Sequence, residues 1–197
     1  TGIRVAIAVA QPTGSAWHWE AWVHPPGHTD EVASYRAVER LCKFLLWSRG
    51  AARLYVDGPA GLVEYLARHY AAAPTGIFDA AFMGPKLFGV PFEVVGVPEA
   101  EFPPGREAAA ALGRHLEGCR IGFDLGASDR KAAAVIDGEV VFSEEILWDP
   151  ANQRDPQWHV DQVTDSLRRA AAHLPRVDAI GGSSAGAYVD NEVRAAS

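Results

Sequence analysis

Apolar residues follow two different spacings along this chain, a period of two and a period near three and a half, and their order divides it into elements. Ile3 to Val9 and Ala16 to Val23 read as the arms of a hairpin around Gln11-Pro-Thr-Gly14. Trp17, Trp19 and Trp22 disturb the alternation of the second arm, which predicts an irregular edge. Asp30 to Arg49 is the clearest helix, with Tyr35, Val38, Leu41, Cys42 and Leu45 as its inward stripe. Thr29 would cap it and Gly50 would stop it. Arg53 to Val56 is a short strand, Pro59 opens a second helix through Tyr70, and Leu62, Leu66 and Tyr70 face inward. A further strand runs from Phe92 to Val97, followed by a proline-bearing linker to Gly105 and an Ala-rich segment from Arg106 to Leu112.

A different pattern follows. The apolar run from Ile121 ends in Asp124-Leu-Gly126, and a second run from Lys131 ends in Asp137-Gly138, so the pair predicts a tight hairpin. Val140 to Ile146 is a third strand. A loop from Trp148 to Pro156 precedes a helix, Gln157 to His173, whose inward positions are Val160, Val163, Leu167 and Ala170 or Ala171. Arg168 and Arg169 sit near its C-terminal end, where they suit the helix dipole. Arg176 to Gly181 is a last short strand, and Gly182 to Asn191 a Gly- and Ser-rich loop. The expected architecture is therefore α/β: a small mixed α/β domain over residues 1–105, with no assigned role, then a β-β-β-α-β unit over residues 118–197.

Composition narrows what the chain does. At 197 residues and 48% hydrophobic it can bury one large core or two smaller ones. With 25 acidic against 18 basic residues its formal net charge is −7, which leaves no electrostatic footprint for nucleic acid. No basic run or long apolar stretch points to a membrane. Cys42 and Cys119 lie far apart, without the spacing of a zinc site or a disulfide framework, so a cytoplasmic location is expected. The chain opens on Thr1, which leaves a removed leader open.

The mouth of the predicted hairpin carries the candidate chemistry. Gly126 and Ala127 keep its turn small enough for backbone N–H groups to approach an anion. Asp124 beside them supplies the carboxylate that a Mg²⁺-bound nucleotide needs, and Ser128 and Lys131 add a hydroxyl and a cation. Polar residues at an ordinary hairpin tip explain the same pattern. Asp124 to Ser128 resembles the phosphate-1 motif of the superfamily of sugar kinases, heat-shock ATPases and actin (ASKHA), Asp-x-Gly-[small]-[Ser/Thr]. Lys131 stands where many of its sugar kinases carry Lys or Arg. The later strand and loop, with Gly182, Ser183, Ser184, Gly186, Asp190 and Asn191, resemble the Gly-x-x-x-Pro-Gly-x-x-Asp segment of the repressor/ORF/sugar-kinase (ROK) family. Here Ala185-Gly186 replaces Pro-Gly, and Asp190 falls one residue late.

That resemblance implies a ribonuclease-H-like half-domain, ATP and Mg²⁺ as cofactors, and a sugar hydroxyl as phosphoryl acceptor. It assigns Asp124 to the metal, Asp124, Gly126, Ala127, Ser128 and Lys131 to the phosphates, and Gly182, Ser183, Ser184, Gly186 and Asn191 to the sugar. It also implies that the chain is the N-terminal part of a longer protein. The family's catalytic Asp, in an Asn-Asp segment, would lie beyond Ser197, so no catalytic residue is assigned here. A non-catalytic regulatory protein holding sugar or nucleotide is the alternative, and a homodimer of the full-length protein is one possible state.

The first half offers no comparable motif. Asp57-Gly-Pro-Ala-Gly61 fits an anion at a helix N-terminus or a turn that merely starts a helix. Trp17, Trp19, Trp22 and Trp47 fit a sugar-stacking surface or ordinary packing. His18, His24, His28, His69 and His115 show no ligand spacing.

Overall fold

The computed structural model describes residues 2–106 and 115–196. They form two compact units, one of residues 2–106 with 188–195, the other of residues 115–187.

The first unit is a four-stranded mixed sheet ordered β2-β1-β3-β4, from β1 (Ile3–Ala10), β2 (Ala16–Val23), β3 (Arg53–Asp57) and β4 (Glu93–Gly96). β1 is central and buried from Val5 to Ala10. One of its faces, Ala6 and Ala8, packs with Phe102, Tyr55 and Val97. The segment read as a linker is thus part of the core. Arg106 forms a bridge to Ala16 and donates from Nε to the Gly14 carbonyl. The expected irregularity of β2 is absent: all eight residues pair in unbroken register with β1. Trp17 and Trp19 share a face beneath the Arg49 guanidinium, 5.4 and 6.0 Å from their ring centres, whereas Trp22 points to the other side.

Helix α1 (Glu31–Arg49) buries Tyr35, Val38, Glu39, Cys42, Leu45 and Leu46. Burial pushes the Cys42 thiol up to about 12, so it is a packing residue. Asp30, not Thr29, is the N-cap, and its side chain makes no capping bond. Gly50 ends the helix at φ 65°, its N–H donating to the Leu46 carbonyl. Helix α2 (Ala60–Ala72) buries Leu62, Leu66 and Tyr70. The sequence reading missed the next elements, α3 (Pro74–Ala81) and a π-helical turn over Phe82–Lys86 that accommodates Pro85. Gly76 and Pro85 look like chain breaks. Yet a Cβ on Gly76 would lie 2.1 Å from the His69 carbonyl oxygen, so this glycine lets α3 close on α2.

The second unit has the order β7-β6-β5-β8, from β5 (Cys119–Leu125), β6 (Asp129–Ile136), β7 (Glu139–Leu147) and β8 (Ala179–Ser184). The two hairpins are antiparallel, and helix α4 (Pro156–Ala171) carries the chain over so that β8 lies parallel to β5. Asp155 caps α4 by accepting from the Gln157 N–H. Its inward residues are Ser166 and Ala170, with Leu167 and Ala171 on Ile121, Ala132 and Ala134. Val160, expected inside, is 54% exposed. Polar clamps finish the seam. Arg130 is buried and donates to Ser166 and, at 2.8 Å, to Asp165; Arg169 meets Glu144 at 2.7 Å. Outside both four-stranded sheets, β9 (Gly186–Val189) and β10 (Glu192–Ala196) form a two-stranded hairpin that turns at Asp190 and Asn191, both at positive φ.

Candidate functional site

Pairing across the second sheet decides which side chains can act together. Asp124 lies opposite Lys131 on β6 and Ser183 on β8, and Lys131 lies opposite Glu145 on β7. Side chains in register share a face, so Ser183, Asp124, Lys131 and Glu145 form one polar row. The adjacent row is Gly181, Gly122, Ala133 and Ser143, where small residues leave room. A cleft of about 570 Å³ opens over these rows, lined by Gly122, Asp124, Lys131, Ala133, Ser143 and Glu145 among others. Helix α4 packs on the opposite face, that of Ile121, Ala132 and Ala134.

Asp124 is joined to Ser183 directly, the Ser183 hydroxyl donating to Asp124 Oδ1. Two segments that the sequence reading singled out separately therefore meet. The turn between β5 and β6 is held from both sides. Gly126 N–H donates to the Asp129 carbonyl at 2.8 Å, and Gly126 O accepts the Trp148 indole N–H at 2.9 Å. Ala127 and Ser128 are exposed at its tip. Lys131 does not stand alone: its ammonium lies 2.7 Å from Asp129 Oδ1, and that bond raises its pKa. The same bond, with a smaller contribution from Ser128, holds the Asp129 carboxyl below its ordinary range. Asp129, Glu145 and Trp148 were not singled out from the sequence. Their alignment with Asp124 depends on strand register, which residue type alone does not reveal.

The substrate-side residues divide. Gly182 and Ser184 are strand residues, not loop, because parallel pairing with β5 continues through Leu125 and Ser184. They alternate to the face opposite Ser183. Gly182 lies under the Phe123 ring, where a Cβ would come within 2.1 Å of Cζ, so packing accounts for this glycine. Gly186 begins β9, and Asn191 sits in the β9–β10 turn rather than in a loop with Ser183.

The row fits a divalent cation better than a bare anion, because Asp124, Glu145 and Asp129 outnumber Lys131. Mg²⁺ is commonly held by one or two carboxylates, with phosphate oxygens and water completing its octahedron, and Asp124 supplies one such carboxylate, while Glu145 lies two strands away beyond Lys131. In the first unit, His24, His28 and Asp30 bring one potential ligand atom each within 4.8 Å of one another, all exposed. The two imidazoles are stacked at 4.1 Å, and His28 Nδ1 already accepts the Asp30 N–H. Among the described residues no helix is long and apolar enough to cross a membrane.

No protein-family model matches the chain, and no curated relative matches its sequence. Among solved structures, an exopolyphosphatase from Cytophaga hutchinsonii is similar at TM-score 0.27 and 9% identity, over 84% of this chain and 57% of that one. The chain thus spans little more than half that protein's length, and a likeness so slight carries no conclusion about this one.

Proposed function

We propose that the second unit is the phosphate- and metal-binding part of an enzyme that transfers a phosphoryl group from ATP to a sugar hydroxyl. The observation that carries this reading is the polar row at the hairpin mouth, where Asp124 meets Ser183 across β5 and β8. Asp124 helps to hold Mg²⁺, the turn offers the Ala127 and Ser128 N–H groups to phosphate oxygens while Gly126, its N–H bound to Asp129, shapes it, and Lys131 offsets negative charge. Ser183, whose hydroxyl donates to the Asp124 carboxylate, marks the acceptor side. Phosphoryl transfer relies on positioning and charge stabilisation, so a tight turn with one metal-binding carboxylate is the part such a reaction needs here. ATP and Mg²⁺ are the cofactors of this reading, and the resemblance noted above supplies the sugar. A protein that binds nucleotide without turning it over is the second reading, favoured by the Lys131–Asp129 pair, which occupies the cation this role would use.

Calorimetry of Mg·ATP binding to the full-length protein tests the assignment. Asp124→Ala is expected to weaken binding by about 2 kcal/mol, the scale of losing one partner of a charged hydrogen bond. Unchanged affinity would remove Asp124 from the site. A panel of hexoses and amino sugars then separates the readings: binding without turnover of any sugar selects the second.

A further inference from the structure

An aromatic face on the first unit has no part in the proposed chemistry. Trp47 of α1 stacks on Phe82 and Phe78, with ring centres 5.0 and 6.1 Å apart, so the three rings form a slab across α1 and the α3–π segment. It is not core: Phe44 is 66%, Phe78 59%, Ile77 47% and Trp47 44% exposed. Large apolar side chains in one exposed patch mark an interaction surface.

The charges around the slab all have one sign. Residues 32–49 and 74–89 contain two carboxylates, Glu39 and Asp79, and both are buried. Asp79 is fully enclosed, accepting from Lys43 at 2.6 Å and from the Trp47 indole at 2.9 Å, which fixes the Trp47 ring. Glu39 is buried, 3.4 Å from His69 and 3.7 Å from the Arg40 guanidinium, which stays 75% exposed. On the surface this leaves Arg40, one helical turn before Phe44 and two before Trp47, Arg36 a turn further back, and Lys86 at the end of the π-helical turn, while Arg49 lies over Trp17 and Trp19. A basic rim around aromatic anchors stands out on a chain of net charge −7.

We infer that this face binds a protein segment whose apolar anchors are flanked by Asp and Glu. Anchors of that segment lie on the Trp47–Phe78–Phe82 slab while its carboxylates meet Arg36, Arg40 and Lys86. Two other occupants fit less well. A second copy packed face to face would oppose one basic rim to another and bring no surface carboxylate to either. An anionic bilayer calls for a cluster of about four to eight Lys and Arg, and three cations around the slab fall short of it.

A random peptide library of about 16 residues, displayed on phage and panned against the full chain, tests the inference. Apolar residues at helical spacing with flanking Asp or Glu should be enriched. Synthetic peptides from the enriched set should bind Phe44→Ala/Phe78→Ala at least tenfold more weakly, the loss expected when hot-spot aromatics are truncated. Arg36→Glu/Arg40→Glu should lose the acidic peptides and retain a wild-type melting temperature. Enrichment no greater than on the double-alanine variant, or of basic peptides, overturns the proposal. So does a concentration-dependent dimer in light scattering that Phe44→Ala/Phe78→Ala abolishes, which assigns the face to a second copy. Vesicle binding lost in the same variant assigns it to a membrane.

Discussion

Gly181 and Gly182 are chemically identical neighbours with opposite surroundings, and the difference follows from the pleat of β8. A Cβ on Gly182 would press into the Phe123 ring, while one on Gly181 would meet nothing within 4 Å. Phe123 is itself packed against the α4 core, so its ring has little room to retreat. Gly182→Ala is expected to destabilise the second unit by about 1–3 kcal/mol, as overpacking does. Gly181→Ala should change stability by less than about 0.5 kcal/mol, as open surface sites do. Urea unfolding of both variants checks the pair, and equal midpoints would refute the assignment of faces. From sequence alone Gly181 ended the last strand and Gly182 opened the sugar-binding loop. Only the face each takes separates them.

At the scale of elements, the start of β8 is tied to the start of β5 by one carboxylate. Asp178 Oδ2 accepts the Cys119 N–H at 2.8 Å, and Oδ1 accepts from Arg176 at 2.7 Å. The Arg176 bond first, and the Cys119 amide second, hold its carboxyl below the ordinary range. A depressed pKa in the folded chain means stability that is complete above the unfolded value, about 3.9, and is lost as pH falls through the folded one. Asp178→Asn should therefore lower stability near neutrality and make the acid unfolding of the second unit shallower. Tryptophan fluorescence from pH 6 to pH 2 measures this, and superimposable curves for wild type and variant would exclude the role. The elements themselves were largely legible. Helices α1, α2 and α4 and the β5-β6-β7 meander declared themselves by period and by turn residues. Helix α3 did not: it carries Gly76, which serves close approach to α2, and leads into a π-helical turn around Pro85, and neither follows an apolar period.

Over the whole molecule, the two units differ in what they bury. The first encloses Val5, Ile7, Val9, Leu45, Leu46, Leu54, Leu62 and Leu66. The fully buried cluster of the second is Ile121, Ala132, Ala134 and Ala170, three of them alanines. Stabilisation scales with the apolar area removed from water, about 25 cal/mol per Å², so the second unit has less to hold it. Calorimetry of the chain is expected to show two transitions, with hydrogen exchange assigning the lower one to residues 119–184. A single transition whose calorimetric and van't Hoff enthalpies agree would show that the units unfold as one.

The sequence by itself determined helices α1, α2 and α4, the β1–β2 hairpin and the tight hairpin with Asp124 at its mouth. Those features depend on residues close together in the chain: an apolar period, a glycine, a capping Asp155. It also marked Ser183 as a candidate, though without a reason to join it to Asp124. Tertiary structure alone decided that the crossover through α4 lays β8 parallel to β5 in the register that sets Ser183 against Asp124. It decided equally that Glu145 joins the polar row, that Gly182 turns away from it, and that Trp47 stacks with Phe78 and Phe82 apart from Trp17 and Trp19. Each of these depends on pairing between residues far apart in sequence, where a slip of one position exchanges the two faces of a strand.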